Sequence, residues 1–518
     1  MIDTVHKQRA RLFQARLLVS PIPFATCLFL IELAAALALS GGQFSYVLDD
    51  PYIHLAVSEE LARGGYGINS DELASPSSSI LWPLILTPFA RLSFHPYLPL
   101  ILNYGFVLAS ALTARRLFET ELRSEHRPAV RDGLTTLLLF LGSFVFLAFM
   151  GLEHVLQSWL GLLILLGVIL AKREGRTRWW LWAALAGAPL VRFDSLSLTV
   201  PFAFLLWRMG YGRQVLTIVA VLSVAFLLYA GVMRMLDLPI LPSSILVKAA
   251  IAHADLSIGS TATGLVRNFF SAHILLRLSG FLLLVALLVG RHRGPALALA
   301  AACMLHFIFG LSGYAFGRYE AYLLVAAISL FALAGAPALA SLAERRGLLV
   351  AMFAAALIAT PLWPMAVRNH AYLPLAAANI VAQQHEMHRF ATEFVQGPVA
   401  VNDLGRVSYR NEHYVLDLWG LGSEEARRRR LSGEPGWAKG LLSQHDVQLA
   451  MIYDDWLANE VPADWMPIGR LALTRKFDTG LLPEVAFYAR PDRAAELTEA
   501  ARRFAAGLPP GASFRFAE

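Results

Sequence analysis

Long apolar runs separated by short polar stretches dominate the chain as far as residue 365. The runs 22–41, 97–115, 133–149, 153–171, 179–191, 194–209, 214–235, 272–290, 295–312, 319–341 and 347–365 each predict a membrane-spanning helix, about eleven in all. Segment 80–92 contains Pro83 and Pro88 and predicts an interfacial or re-entrant helix instead. Beyond Pro364 the pattern changes. Helical periodicity at 380–396, 422–430 and 492–506 alternates with short apolar strands. The strands are Pro398-Val-Ala-Val-Asn402, Tyr414-Val-Leu-Asp-Leu418, Val447-Gln-Leu-Ala-Met-Ile-Tyr453 and Glu484-Val-Ala-Phe-Tyr-Ala489. The expected fold is a polytopic α-helical membrane protein with a C-terminal α/β domain built on a largely parallel sheet. Its predicted division is a membrane module over 1–370, with a first loop at 41–96, and an α/β domain over 371–518.

Charge orients this scheme. Arg115, Arg116, Arg123, Arg127 and Arg131 share one loop, and Lys172, Arg173, Arg176 and Arg178 another. Arg208 with Arg213, Arg291 with Arg293, and Arg345 with Arg346 continue the series. With eleven spans these loops and the basic N-terminus share one face, which the positive-inside rule makes cytoplasmic. The odd span count puts the C-terminal domain on the opposite, extracytoplasmic side. The expected location is the bacterial inner (plasma) membrane.

Composition agrees with the pattern. Of 518 residues 57% are hydrophobic and only 16% charged, well below the ~25% charge of soluble domains. The net charge of +6 sits in short loops and gives no sign of nucleic-acid binding. Cys27 and Cys303, both in apolar runs, give no sign of a disulfide framework or a zinc site. Lys7, Arg9, Arg11 and Arg16 before the first apolar run resemble a signal peptide, but the number of further spans predicts an uncleaved first span.

The chemistry concentrates in Tyr46-Val-Leu-Asp-Asp-Pro-Tyr-Ile53, just after the first span. Two adjacent carboxylates are too costly for lipid and must lie at its edge or in a wet cavity. The same outer face is predicted to collect Asp49, Asp50, Glu153, His154, Arg192, Asp194, Lys248, Arg318, Tyr319 and Glu320. A carboxylate there can serve as general base on a sugar hydroxyl, hold a divalent cation, or bind a proton in a transporter. Lys248, Arg192 and Arg318 can neutralise a phosphate leaving group, which makes a metal optional. Each residue also has a structural reading. Glu153 and His154 can cap a span, Arg192 with Asp194 and Arg318 with Glu320 can form ion pairs, and Lys248 can anchor an interface. Asn402-Asp-Leu-Gly405 and Asp417-Leu-Trp-Gly-Leu-Gly422 come just after strand ends, the edge where open α/β sheets bind ligands. No GxGxxG or Walker loop occurs, so a structural or acceptor-guiding role is expected there.

Four segments carry a family resemblance: Leu48-Asp-Asp-Pro-Tyr-Ile53, Leu61-Ala-Arg-Gly-Gly-Tyr-Gly67, Ser75-Pro-Ser-Ser-Ser-Ile-Leu-Trp82 and Gly151-Leu-Glu153. Together they resemble the GT-C superfamily of membrane glycosyltransferases, in particular its bacterial arabinofuranosyltransferase-like and dolichyl-phosphate-mannose-type branch. Residues 399–405 and 415–422 also resemble that branch's outer domain. The resemblance implies a polyprenyl-phosphate-linked sugar donor, a glycan, lipid or protein acceptor, membrane lipids around the spans, and an extracytoplasmic site. It implies inverting transfer with a first-loop aspartate as base. Asp50 is favoured as base and Asp49 as its partner or cation ligand (Mg2+ or Mn2+), with the reverse order open. Tyr52, in the same motif, joins the substrate-binding set; Glu153 is assigned to acceptor or sugar hydroxyls and Lys248 to the donor phosphate. Pro51 and Ser243 depart from the family pattern and leave the sugar undetermined. The alternative function is a transporter or flippase of a lipid-linked sugar.

Overall fold

A computed structural model describes residues 20–122, 128–247, 273–309, 317–474 and 482–517. Helices occupy all eleven of the predicted apolar runs. Among the described residues, six are long and apolar enough to cross a membrane: Pro21–Leu39, His95–Glu119, His154–Glu174, Gly212–Met235, Gly290–Phe309 and Ala321–Arg346. Leu348–Ile358 and Thr360–Val395, bent by 58°, make a seventh if they are one span. The protein is therefore a mostly helical, multi-span membrane protein.

The remaining runs are shorter or broken, for local reasons. Run 133–149 splits into Pro128–Leu141 and Phe144–Phe149 because Ser143 is left-handed, at φ 51°. Trp179–Val191 and Leu196–Arg208 have 13 residues each, about 20 Å of helix at 1.5 Å per residue and short of a ~30 Å hydrocarbon core. Segment 80–92 holds only the short helical turns Leu81–Leu86 and Thr87–Phe89.

The chain divides into two compact units. The first comprises Met1–Glu32, Leu100–Val224 and Ala262–Ala371; the second comprises Leu33–Pro99, Ala225–Thr261 and Tyr372–Glu518. The second unit thus combines the first loop with the C-terminal sheet.

That sheet has six strands: β1 (Val399–Val401), β2 (Val415–Asp417), β3 (Leu449–Ile452), β4 (Met466–Leu473), β5 (Glu484–Ala489) and β6 (Ala512–Phe516). Their order is β2-β1-β3-β5-β4-β6. β1 pairs in parallel with β2 and β3, whereas β3–β5, β4–β5 and β4–β6 are antiparallel. The largely parallel sheet expected from sequence is corrected to a mixed one. Only residues 474–483 join β4 to β5, fewer than the dozen or so that a parallel crossover needs. β4 was hidden by Pro467 and Gly469, which flank an irregularity in its register. Ala400, Leu416, Ala450 and Ile452 bury one sheet face with Trp437 and Leu441. Phe487 of β5 packs against Phe390, Phe504 and Phe514 in an aromatic cluster.

The carboxyl end of β2 is closed by Asp417. Its carboxyl accepts the N–H groups of Trp419 at 2.8 Å, Leu421 at 2.5 Å and Gly422 at 2.8 Å. Burial pushes it up to about 6 despite these donors. Its fully buried side chain is the acceptor for a whole turn of backbone. Asp417→Ala leaves those N–H groups without it and should cost about 3 kcal/mol. Thermal unfolding in detergent should show the loss, and Asp417→Asn should recover part of it.

Candidate functional site

The first-loop helix Asp50–Arg63 is set by its ends. Asp49 is the N-cap, Pro51 lies in the first turn, and Gly64 ends the helix in a left-handed conformation at φ 92°. Proline is favoured in a first turn, where its missing N–H has no helical partner anyway. Pro51, the departure from the family pattern, is thus a helix-starting residue. Asp50 is in that same first turn, where the helix dipole favours a negative charge. Asp50 is half-buried, whereas Asp49 is 5% exposed.

Asp49 is held from the sheet. Its Oδ2 accepts the Gly405 N–H at 2.5 Å and its Oδ1 accepts the Arg406 N–H at 2.7 Å. Both donors lie in the turn after β1. There β2 and β3 lie on opposite sides of β1, the topological switch at which α/β sheets usually take a ligand. Here the chain's own carboxyl takes that place. Gly405 is required for the approach: a Cβ would overlap the Asp49 carbonyl oxygen and lie 2.6 Å from Oδ2.

A second carboxyl belongs to the same arrangement. Asp403 hydrogen-bonds Asp49 and accepts the Gln384 amide at 2.7 Å. Gln384 also donates to the oxygen of Gln383, which accepts the Tyr453 hydroxyl at 2.7 Å. Tyr453 N–H donates to Asn402 Oδ1 at 2.7 Å, tying the turns after β1 and β3 together. Burial pushes Asp49 well above the ordinary carboxyl range, and the Asp403 charge adds to this. Burial also pushes Asp403 up to about 6. Both carboxyls are thus held above the ordinary range, and they titrate as a pair.

Tyr52, two residues on, places its hydroxyl 3.1 Å from His385 Nε2 and 3.2 Å from Ser45 Oγ. The Arg406 guanidinium lies 5.5 Å over the Tyr52 ring and 5.8 Å over Tyr409. Tyr409 in turn reaches His95 Nδ1 at 3.1 Å, and His95 Nε2 reaches Ser58 at 3.0 Å. Sequence reading named the 402–405 turn but missed Gln384, His385 and Arg406. All three are polar residues on helical stretches with no local motif to mark them.

In the first unit, several of the predicted outer-face residues meet. Arg192 donates to Glu153 at 2.7 Å and, through Nε and Nη2, to Asp194 at 3.1 and 3.0 Å. Arg192 and Arg318 lie 5.5 and 5.0 Å over the Tyr319 ring, and His154 meets that ring edge-on at 6.1 Å. Tyr322 donates to the Asp194 carbonyl at 2.9 Å and contacts His306 at 3.0 Å. Glu320 is the N-cap of Ala321–Arg346. Arg192 is saturated by two carboxylates, so its ion pair has the geometry of its structural reading. Lys248 lies outside the described residues.

A divalent cation fits these residues poorly. Among the described residues no group of three or more His, Cys, Asp or Glu is arranged to hold a metal. Asp49 also directs both oxygens at backbone N–H groups.

Comparison with known proteins adds four findings. Residues 378–490 match the family model described as a domain of unknown function (DUF8728). No curated protein matches the chain. The structure is similar to that of ArnT from Cupriavidus metallidurans bound to undecaprenyl phosphate. The TM-score is 0.48 with 13% identity over 90% of this chain and 97% of that one. It is also similar to the Archaeoglobus fulgidus oligosaccharyltransferase in complex with Zn and sulfate. That TM-score is 0.45 with 13% identity over 89% of this chain and 73% of that one.

The Asp49 arrangement carries two expected outcomes. Gly405→Ala should destabilise the protein by about 2 kcal/mol through overpacking against Asp49, read as a lower Tm in detergent. Asp403 binds its proton more tightly folded than unfolded, with about 6 against 3.8. Its contribution to stability is therefore complete below pH 3.8 and lost as pH rises to about 6. Asp403→Asn should flatten the fall in Tm over that window and raise Tm near neutral pH; an unchanged pH slope would rule out a raised Asp403.

Proposed function

We propose that this protein is a GT-C-type membrane glycosyltransferase. It takes a sugar from a polyprenyl-phosphate donor and passes it, with inversion, to an extracytoplasmic glycan, lipid or protein acceptor. The proposed base is Asp50. The observation that carries this reading is the unequal treatment of the two adjacent aspartates. Asp49 is buried on the N–H groups of Gly405 and Arg406 and hydrogen-bonds Asp403. Asp50 begins a helix and is half-buried. The first-loop motif and its resemblance to GT-C enzymes supply the donor class.

In the reaction, Asp50 takes the proton of an acceptor hydroxyl as that oxygen attacks the anomeric carbon. The bond from that carbon to the phosphate oxygen breaks, and its electron pair leaves with the polyprenyl phosphate. The phosphate needs positive charge beside it. Arg192 is neutralised by Glu153 and Asp194, so Lys248, the residue that the family resemblance assigns to the donor phosphate, is the proposed partner. The proposed location is the bacterial plasma membrane, with site and sheet domain extracytoplasmic.

A transporter of a lipid-linked sugar is favoured by one observation: Glu32 on the first span hydrogen-bonds His370 Nδ1 at 2.5 Å, both nearly buried. Buried ionisable pairs in membrane spans often mark ion pathways. Such a protein moves its substrate without forming a glycosidic bond.

The experiment is transfer from a radiolabelled polyprenyl-phosphate sugar by detergent-purified protein. Asp50→Asn should lower kcat by roughly 10²–10⁴-fold with donor binding retained. Asp49→Asn should lower it less and also lower Tm. Wild-type turnover by Asp50→Asn sinks the mechanism, and substrate movement across vesicles without a new bond favours the transporter.

A further inference from the structure

The second unit contains a cleft of about 560 Å³, within the size range of small-ligand sites. One wall is the far end of the first-loop helix, with Ala56, Glu59, Glu60 and Arg63; the other is the segment from Ser408 to Tyr414, and Asn69 and Asp71 close it. We propose that this cleft binds the neutral, hydroxyl-rich part of a glycan acceptor. This deepens the glycosyltransferase reading and rests on it.

The lining decides the ligand class. Four carboxylates, of Glu59, Glu60, Asp71 and Glu412, face two guanidiniums, of Arg63 and Arg410. So polar a wall gives an acyl chain nothing to bury against. The excess of negative charge repels a phosphate, so the cleft is not a place for the donor's phosphate. Carboxylates suit the donor hydrogens of adjacent sugar hydroxyls, while Asn69 and Asn411 are held by backbone partners and shape the wall.

The wall is also built in advance. Asn69 is 8% exposed and clamps Val415, donating to its carbonyl at 3.0 Å and accepting its N–H at 2.9 Å. Glu60 is 4% exposed and paired with Arg63. Glu59 lies 3.6 Å from Arg410. Tyr414 donates to Glu72 at 2.6 Å and stacks on His445 with ring centroids 4.2 Å apart. Preorganised polar groups bind without the cost of ordering them.

Position links the cleft to the chemistry. Ala56 and Glu59 are six and nine residues along the helix from Asp50, about 9 and 14 Å at ~1.5 Å per residue. Asp49, Ala56 and Glu60 share one helix face by their spacing, the face along which the 405–410 segment runs from Asp49 to the cleft. The proposal places the acceptor's reacting end towards the start of the helix, where Asp50 stands about 100° round from the Asp49 face.

The test uses full-length protein in detergent and saturation-transfer NMR. The probes are the methyl glycosides of glucose, galactose, mannose and arabinose, with inorganic phosphate as the anionic comparison. At least one glycoside should bind, phosphate should not compete, and the Asp71→Asn/Glu412→Gln double variant should weaken binding about tenfold. Both side chains are exposed, and an unchanged Tm checks that the variant folds. Absence of binding by all four glycosides, or binding indifferent to the double variant, overturns the proposal. Asp50→Asn separates the two readings. It should bind the glycoside as wild type does, and if it also transfers sugar normally the base assignment fails while the cleft stands.

Discussion

The second unit depends on one contact: the Asp49 carboxyl accepting the backbone N–H groups of Gly405 and Arg406. A buried carboxyl is expensive unless its oxygens are satisfied. Here two backbone donors and the hydrogen bond with Asp403 supply that satisfaction. Because the donors belong to the turn after β1, the contact ties the start of the first-loop helix to the sheet. It thereby orients the neighbouring residues of both segments. Tyr52 meets His385 and the Arg406 guanidinium, and the helix proceeds along the 405–414 segment to the cleft.

The contact also separates two residues that look alike in sequence. Adjacent aspartates cannot both be buried and ionised at low cost. Here one of them, Asp49, is buried against fixed backbone donors, while Asp50 is only half-buried. A similar economy governs the first unit, where Arg192 is surrounded by Glu153 and Asp194 instead of being offered to a ligand. In both places the polar residues with the most partners are the ones that hold geometry.

Much of this was legible from local pattern. Every apolar run is helical, though 133–149 and 347–365 are broken, and strands β1, β2, β3 and β5 lie within the segments that marked them. Asp49, Asp50 and the 402–405 turn were each picked out by motif or by their place after a strand. Their meeting was not legible, because the two segments lie more than 350 residues apart and neither encodes the other's partner. Gln384, His385 and Arg406 carry no periodic signal that distinguishes a partner of the site from a solvated helix face. The antiparallel half of the sheet was obscured by Pro467 and Gly469, residues that read as loop. The short helices at 179–191 and 196–208 show that apolar length, not apolar character, decides what spans a bilayer.

The proposed division of labour between the two aspartates is tested most directly by the pH–rate profile of sugar transfer in Asp49→Asn. If Asp50 is the base and Asp49 holds the sheet contact, the variant should turn over more slowly but keep the acid limb of the wild-type profile in place. Loss of that limb, with transfer abolished and protein still folded, would assign the proton to Asp49 and contradict the account.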